Sequence, residues 1–136
     1  MKIKELMRVL IYDEMRDIIS YSAEADVFGE THLYGDRIRD LFSGLAREKH
    51  KRLKEFDKVS DTRTGFRQRK TEPPRSIEAS LRTHITATEN SIALYGNLVK
   101  LLKNLEHIEY FKAVVERDRQ ALAELKALQA VIKEKI

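Results

Sequence analysis

Apolar residues recur at three- and four-residue intervals through four long runs of this chain, a period that only helices can bury on one side. The first run extends from Ile3 to about Phe28 and ends near Gly29. The second begins near Tyr34 and reaches Val59. The residues that follow, from Ser60 to Arg67, have turn character, and Pro73 and Pro74 come soon after. Proline removes a backbone donor and restrains the residue before it, so residues 60–75 read as a connection. Ser76 then offers an N-cap two residues ahead of Glu78, and the helical period resumes from Ile77 to about Leu105. A last run covers Ile108 to Ile132, with Asn104 as the turn residue between the third and fourth runs. The expected elements are helices over 3–28, 34–59, 76–104 and 107–134, in a single domain spanning 1–136.

Helices of that size are about 35–40 Å long, enough to pack side by side. The short links make each pair an antiparallel hairpin, and the long connection at 60–75 joins the two hairpins across the bundle. The fold class expected is therefore all-α, a four-helix bundle of two hairpins with a crossover.

Composition removes several chemistries. The absence of cysteine excludes disulfides, a thiol nucleophile and thiolate-held metals. Five isolated glycines supply no phosphate-cradling loop, and no Gly-x-Ser-x-Gly turn is present. No run of apolar residues is long enough to span a bilayer, and Met1 to Glu5 lack the apolar stretch of a signal peptide, so a cytoplasmic location without membrane contact is expected. Net charge is uneven. Residues 1–46 carry −3, residues 47–75 carry +6 and residues 76–136 carry +1. The basic middle is compatible with a solvated helix face or with a footprint for nucleic acid between Arg47 and Arg75. No aromatic interleaving accompanies it, which favours the first reading.

The two halves match each other. At an offset of 69, Phe42, Leu45, Leu53 and Phe56 align with Phe111, Val114, Leu122 and Leu125; at an offset of 74, Ile11, Glu14, Ile18 and Tyr21 align with Ile85, Thr88, Ile92 and Tyr95. In this setting the segment Leu41 to Leu53, with Phe42, Leu45 and Ala46, resembles the second helix of rubrerythrin-like proteins of the ferritin-like superfamily, whose pattern is Phe-x-x-(Leu/Ile)-Ala-x-x-Glu-x-x-His. Glu14, followed seven residues later by Tyr21, is similar to that family's first helix. The resemblance implies a ferritin-like bundle and, in the family, two metal ions held by a Glu from each of two helices and a Glu-x-x-His from each of the others.

Carried over position by position, Glu14 matches the first-helix ligand. The second helix supplies Lys49 and Arg52, the third Thr88, and the fourth Asp118 and Ala121. A fixed ammonium at a metal position repels a divalent ion. At about 100° per residue, Glu14, Lys49, Thr88 and Asp118 each fall near the centre of their helix's apolar stripe, independently of the resemblance. Buried charges demand partners, so these four are expected to form a metal-free polar layer, with Thr88 adding a hydrogen bond. The competing reading lets Lys49 reach water along its own stem.

Three functions follow. The first is a noncatalytic structural or interaction protein without cofactor, dimerising through exposed apolar residues of the first or last helix. The second is a rubrerythrin-like oxidoreductase or iron-handling protein, holding iron or manganese at an altered site around Glu14, His84, Glu89 and Asp118. The third is nucleic-acid binding through 47–75. Of the other histidines, His32 and His50 are expected at the surface and His107 at a helix end.

Overall fold

The computed structural model describes residues 2–60 and 76–134, with the side chain of Ser60 excepted. Four helices account for nearly all of them: α1 (Ile3–Thr31), α2 (Gly35–Ser60), α3 (Ile77–Leu101) and α4 (Leu105–Lys133). The expected crossover at 60–75 lies outside the described residues, apart from Ser60, which ends α2.

The helix boundaries differ from the periodic reading for local reasons. α1 continues through Gly29 to Thr31 instead of stopping at Phe28. Gly35, at the start of the second helix, is what allows the close approach there: a Cβ on Gly35 would stand 2.2 Å from the Gly29 carbonyl oxygen. The turn is closed by the His32 imidazole, whose Nδ1 accepts from the Tyr34 amide at 3.0 Å. His32 is thus half-buried and structural, not the surface residue expected. α3 stops at Leu101, short of residue 104, because Asn104 is spent on capping α4. Its Oδ1 accepts from the amides of Glu106 and His107 at 2.9 and 3.2 Å, satisfying two otherwise unpaired donors. Ser76 caps α3 in the same way, accepting from the Ala79 amide at 3.1 Å.

Each helix packs on two neighbours: α1 on α2 and α3, and α4 on α3 and α2. Contacts between α1 and α3 run in opposite senses along the chain, from Glu14 with Tyr95 to Glu24 with His84, so these helices are antiparallel. Phe56 with Phe111 and Arg52 with Asp118 show the same for α2 and α4. The end of α2 and the start of α3 consequently lie at opposite ends of the bundle. Phe56 belongs to an apolar cluster with Leu6, Leu10, Leu98 and Phe111, whereas Ile77 belongs to one with Phe28, Ile38, Phe42 and Leu128.

Burying side chains of this size contributes about 1.5–3 kcal/mol each, and the two clusters supply most of the driving force for folding. Their aromatic centres pair equivalent positions of the two hairpins, edge-on in one and stacked in the other. Tyr21 packs on Phe42 with ring centroids 5.1 Å apart, and Tyr95 on Phe111 at 5.9 Å, the residues paired by the 74 and 69 offsets. Tyr95 reaches across to Glu14, and Tyr21 reaches back to Thr88, the position that Glu14 aligns with. Between the two clusters lies a polar belt.

Candidate functional site: a buried chain of alternating charge

Glu14 and Asp17 face inward from positions one turn apart on α1, and Lys49 and Arg52 do the same from α2. Asp118 completes the group from α4 and Tyr95 from α3. All six are buried, Lys49 retaining 5% of its surface and Glu14 1%. The Arg52 guanidinium contacts Asp118 Oδ1 at 2.7 Å and Glu14 Oε1 at 3.4 Å. Lys49 Nζ lies 3.4 Å from the same Glu14 oxygen and 3.2 Å from Asp17 Oδ2. Asp17 Oδ1 meets Arg16 at 3.3 Å, and Arg16 meets Asp13 at 3.3 Å, where the chain reaches solvent. From α4 outward, Asp118, Arg52, Glu14, Lys49, Asp17, Arg16 and Asp13 alternate in sign at every step. That alternation lets charges sit in a core where an isolated ion would cost several kcal/mol.

Tyr95 donates its hydroxyl to Glu14 Oε1 at 2.9 Å, and the Arg52 guanidinium stands 5.9 Å from the Tyr95 ring centroid. Glu14 Oε1 thus receives three donors, while Glu14 Oε2 and Asp118 Oδ2 have no partner among the described residues. Burial alone would lower the Lys49 pKa. The carboxylates of Glu14, Asp17 and Asp118 outweigh both burial and the adjacent Arg52, and the pKa rises above the ordinary lysine value. Arg52 moves upward for the same reasons, burial being overcome by Glu14 and Asp118. Burial, reinforced by nearby carboxylates, pushes the Tyr95 and Tyr21 hydroxyls well above the usual tyrosine range.

A second buried polar group lies about two turns along α1 from Asp17. Glu24 accepts from the Ser80 hydroxyl and contacts His84 Nε2 at 3.1 Å. The His84 ring stacks on Tyr21 with centroids 3.9 Å apart. Ser80 spends its hydroxyl on Glu24 and is 1% exposed, so it is not placed as a nucleophile.

Of the residues expected from sequence, Glu14, Lys49 and Asp118 meet in one network, but Lys49 does not pair with Asp118 directly; Arg52 makes that connection. Thr88 is buried yet does not join the ions, since its hydroxyl donates to the His84 carbonyl at 2.7 Å. The alternative metal set of Glu14, His84, Glu89 and Asp118 is not brought together: Glu89 is exposed and His84 is engaged by Glu24. His50 is exposed and His107 lies in the first turn of α4. Sequence reasoning missed Asp17, Arg52, Tyr95 and Glu24 as members of the polar belt. For Asp17, Arg52 and Glu24 the signal was a three-residue spacing from Glu14, Lys49 and Tyr21, which keeps a side chain within about 60° of an inward neighbour. Tyr95 lay on its stripe as a core residue, and its hydroxyl partner comes from another helix.

The family's metal ligands do not fit this site. Four of the six positions hold Lys49, Arg52, Thr88 and Ala121, and among the described residues no three His, Asp or Glu side chains are grouped to hold a metal ion. Two cations within 3.4 Å of the remaining carboxylates already neutralise the charge that an ion would need. Among the described residues, no helix is long and apolar enough to cross a membrane. Comparison of the chain with protein-family models, with curated proteins and with solved structures finds no match. Over the described residues, fold and site accordingly define an all-α protein of four helices with an internal network of ion pairs.

Proposed function

We propose that this chain is a noncatalytic ferritin-like bundle, a structural or interaction protein in which two tethered cations stand where rubrerythrin-like proteins keep their metal ions. The observation that carries this reading is the placement of the Lys49 ammonium and Arg52 guanidinium between Glu14, Asp17 and Asp118, at 2.7–3.4 Å. The antiparallel pairing of all neighbouring helices and the reciprocal contacts of Tyr21 and Tyr95 support the ferritin-like assignment. In this reading the protein is cytoplasmic and forms a homodimer, for which the exposed Val9 of α1 and Leu105 of α4 supply apolar surface.

A rubrerythrin-like metal protein is the second reading, favoured by the two unpartnered oxygens, Glu14 Oε2 and Asp118 Oδ2. Two oxygens fall short of the coordination shell that iron or manganese takes from protein. Elemental analysis of protein purified without chelator, followed by iron and manganese titration, separates the two. The noncatalytic reading expects far less than one ion per chain. Stoichiometric binding that Glu14→Ala abolishes would overturn it.

A further inference from the structure

The outer face of α2 changes sign along its length. Asp36 and Asp40 are exposed near its start, whereas Arg47, Lys51, Lys54 and Lys58 are exposed in its second half, with exposed His50 at the edge. At 100° per residue, the four cations lie within about 60° of one another and span about 16 Å of helix. Among the described residues, Arg47, Lys51 and Lys54 have no carboxylate within ion-pair distance, and Lys58 meets only Glu55 at 3.0 Å. Glu48, which flanks the row, is already held by Arg117 at 2.8 Å. Favourable interaction with the helix dipole does not account for the row, because that effect is confined to the last turn and Arg47 lies more than three turns from the end of α2. The outer face of α4, by contrast, interleaves Glu109, Lys112, Glu116 and Arg119.

We propose that this face binds duplex nucleic acid through its phosphates, without reading base sequence. Cations repeating at about one helical turn meet a row of backbone charges and release its counterions. The row carries no aromatic ring on which an unpaired base could stack, which disfavours single strands. It carries no exposed apolar side chain to enter a bilayer, because Phe42, Leu53 and Phe56 of α2 are committed to the core. Asp36 and Asp40 set the upper limit of the footprint. The proposal is independent of the metal-free reading, since Lys49 and Arg52 point to the opposite side of α2.

Fluorescence anisotropy of a labelled duplex of about 30 base pairs with the full chain tests it. About four phosphate contacts give a slope near −3.6 in log affinity against log salt, a weakening of about fiftyfold between 50 and 150 mM. Arg47→Glu with Lys51→Glu and Lys54→Glu is expected to lower affinity at 50 mM by more than tenfold. The corresponding triple glutamine variant, which adds no repulsion, should lose most of the binding as well. Lys112→Glu with Lys126→Glu on α4 should change it less than twofold. Circular dichroism checks that each variant is folded. The proposal is overturned if both triple variants bind as the parent does, if the duplex is not bound at 50 mM salt, or if a single strand of equal length binds more tightly. Capture by phosphatidylserine vesicles in place of the duplex would overturn it too.

Discussion

Truncating Lys49 to alanine tests the buried charge chain at its most sensitive link. The ammonium lies 3.4 Å from Glu14 and 3.2 Å from Asp17. Glu14 would keep Arg52 and Tyr95 as partners, but Asp17 would be left with only Arg16, whose side chain is 40% exposed. Removing one member of a buried pair costs about 3–5 kcal/mol, and losing the apolar stem adds about 0.8 kcal/mol per methylene. Against a total stability of about 5–15 kcal/mol, Lys49→Ala should therefore bring the protein close to unfolding. Lys49→Met keeps most of the stem and isolates the electrostatic part, at about 3 kcal/mol. Adding Asp17→Asn to Lys49→Met removes the stranded charge and should recover at least about 1.5 kcal/mol. Urea unfolding followed by circular dichroism measures all three. A Lys49→Ala midpoint shift equivalent to less than about 0.5 kcal/mol, the range of surface substitutions, would mean that the ammonium sits in water.

The same residue shapes the alkaline limit. The folded protein holds the Lys49 proton more tightly than the unfolded chain does, so its contribution is complete below the ordinary value of 10.5 and is lost as pH rises beyond it. Tyr21 and Tyr95 act in the same direction above 10.0, and urea midpoints between pH 8 and 11 should fall less steeply for Lys49→Met/Asp17→Asn than for the parent. Gly35→Ala should cost more than about 2 kcal/mol, because its Cβ meets the Gly29 carbonyl, whereas Gly96→Ala, with open space around it, should gain about 0.5–1 kcal/mol; thermal melts compare them. Glu24→Ala strands the Ser80 hydroxyl and His84 in the core and should lower stability by about 1–3 kcal/mol in the same assay, with Glu24→Gln losing less.

The four helices were legible because each keeps an apolar stripe for about seven turns, and Ser76 acts as the cap its side chain suggested, while Asn104, read as a turn residue, caps α4. The end of α1 was not legible. A glycine reads as a stop, but Gly29 is a place where two backbones touch, a fact that depends on Gly35. Glu14, Lys49 and Asp118 could be found as single polar residues interrupting a stripe. Arg52 and Asp17 are marked only by their three-residue spacing from those positions, and each is enclosed when a neighbouring helix closes over it, so the partners they take could not be read from their own helix. The role of Thr88 was misread for a related reason: its hydroxyl finds the carbonyl one turn back, which is closer than any ion.

The division of charge between the hairpins has a consequence for assembly. To the buried part of the charge chain the hairpin of α1 and α2 contributes Glu14, Asp17, Lys49 and Arg52, two of each sign, while that of α3 and α4 contributes Asp118 and the Tyr95 hydroxyl. Two copies of the second hairpin would oppose bare aspartates, and two copies of the first would leave both guanidinium groups without Asp118. The interior thus discriminates between unlike and like hairpins but is blind to whether the unlike pair belongs to one polypeptide. Exchange between two molecules would reproduce every contact across the seam.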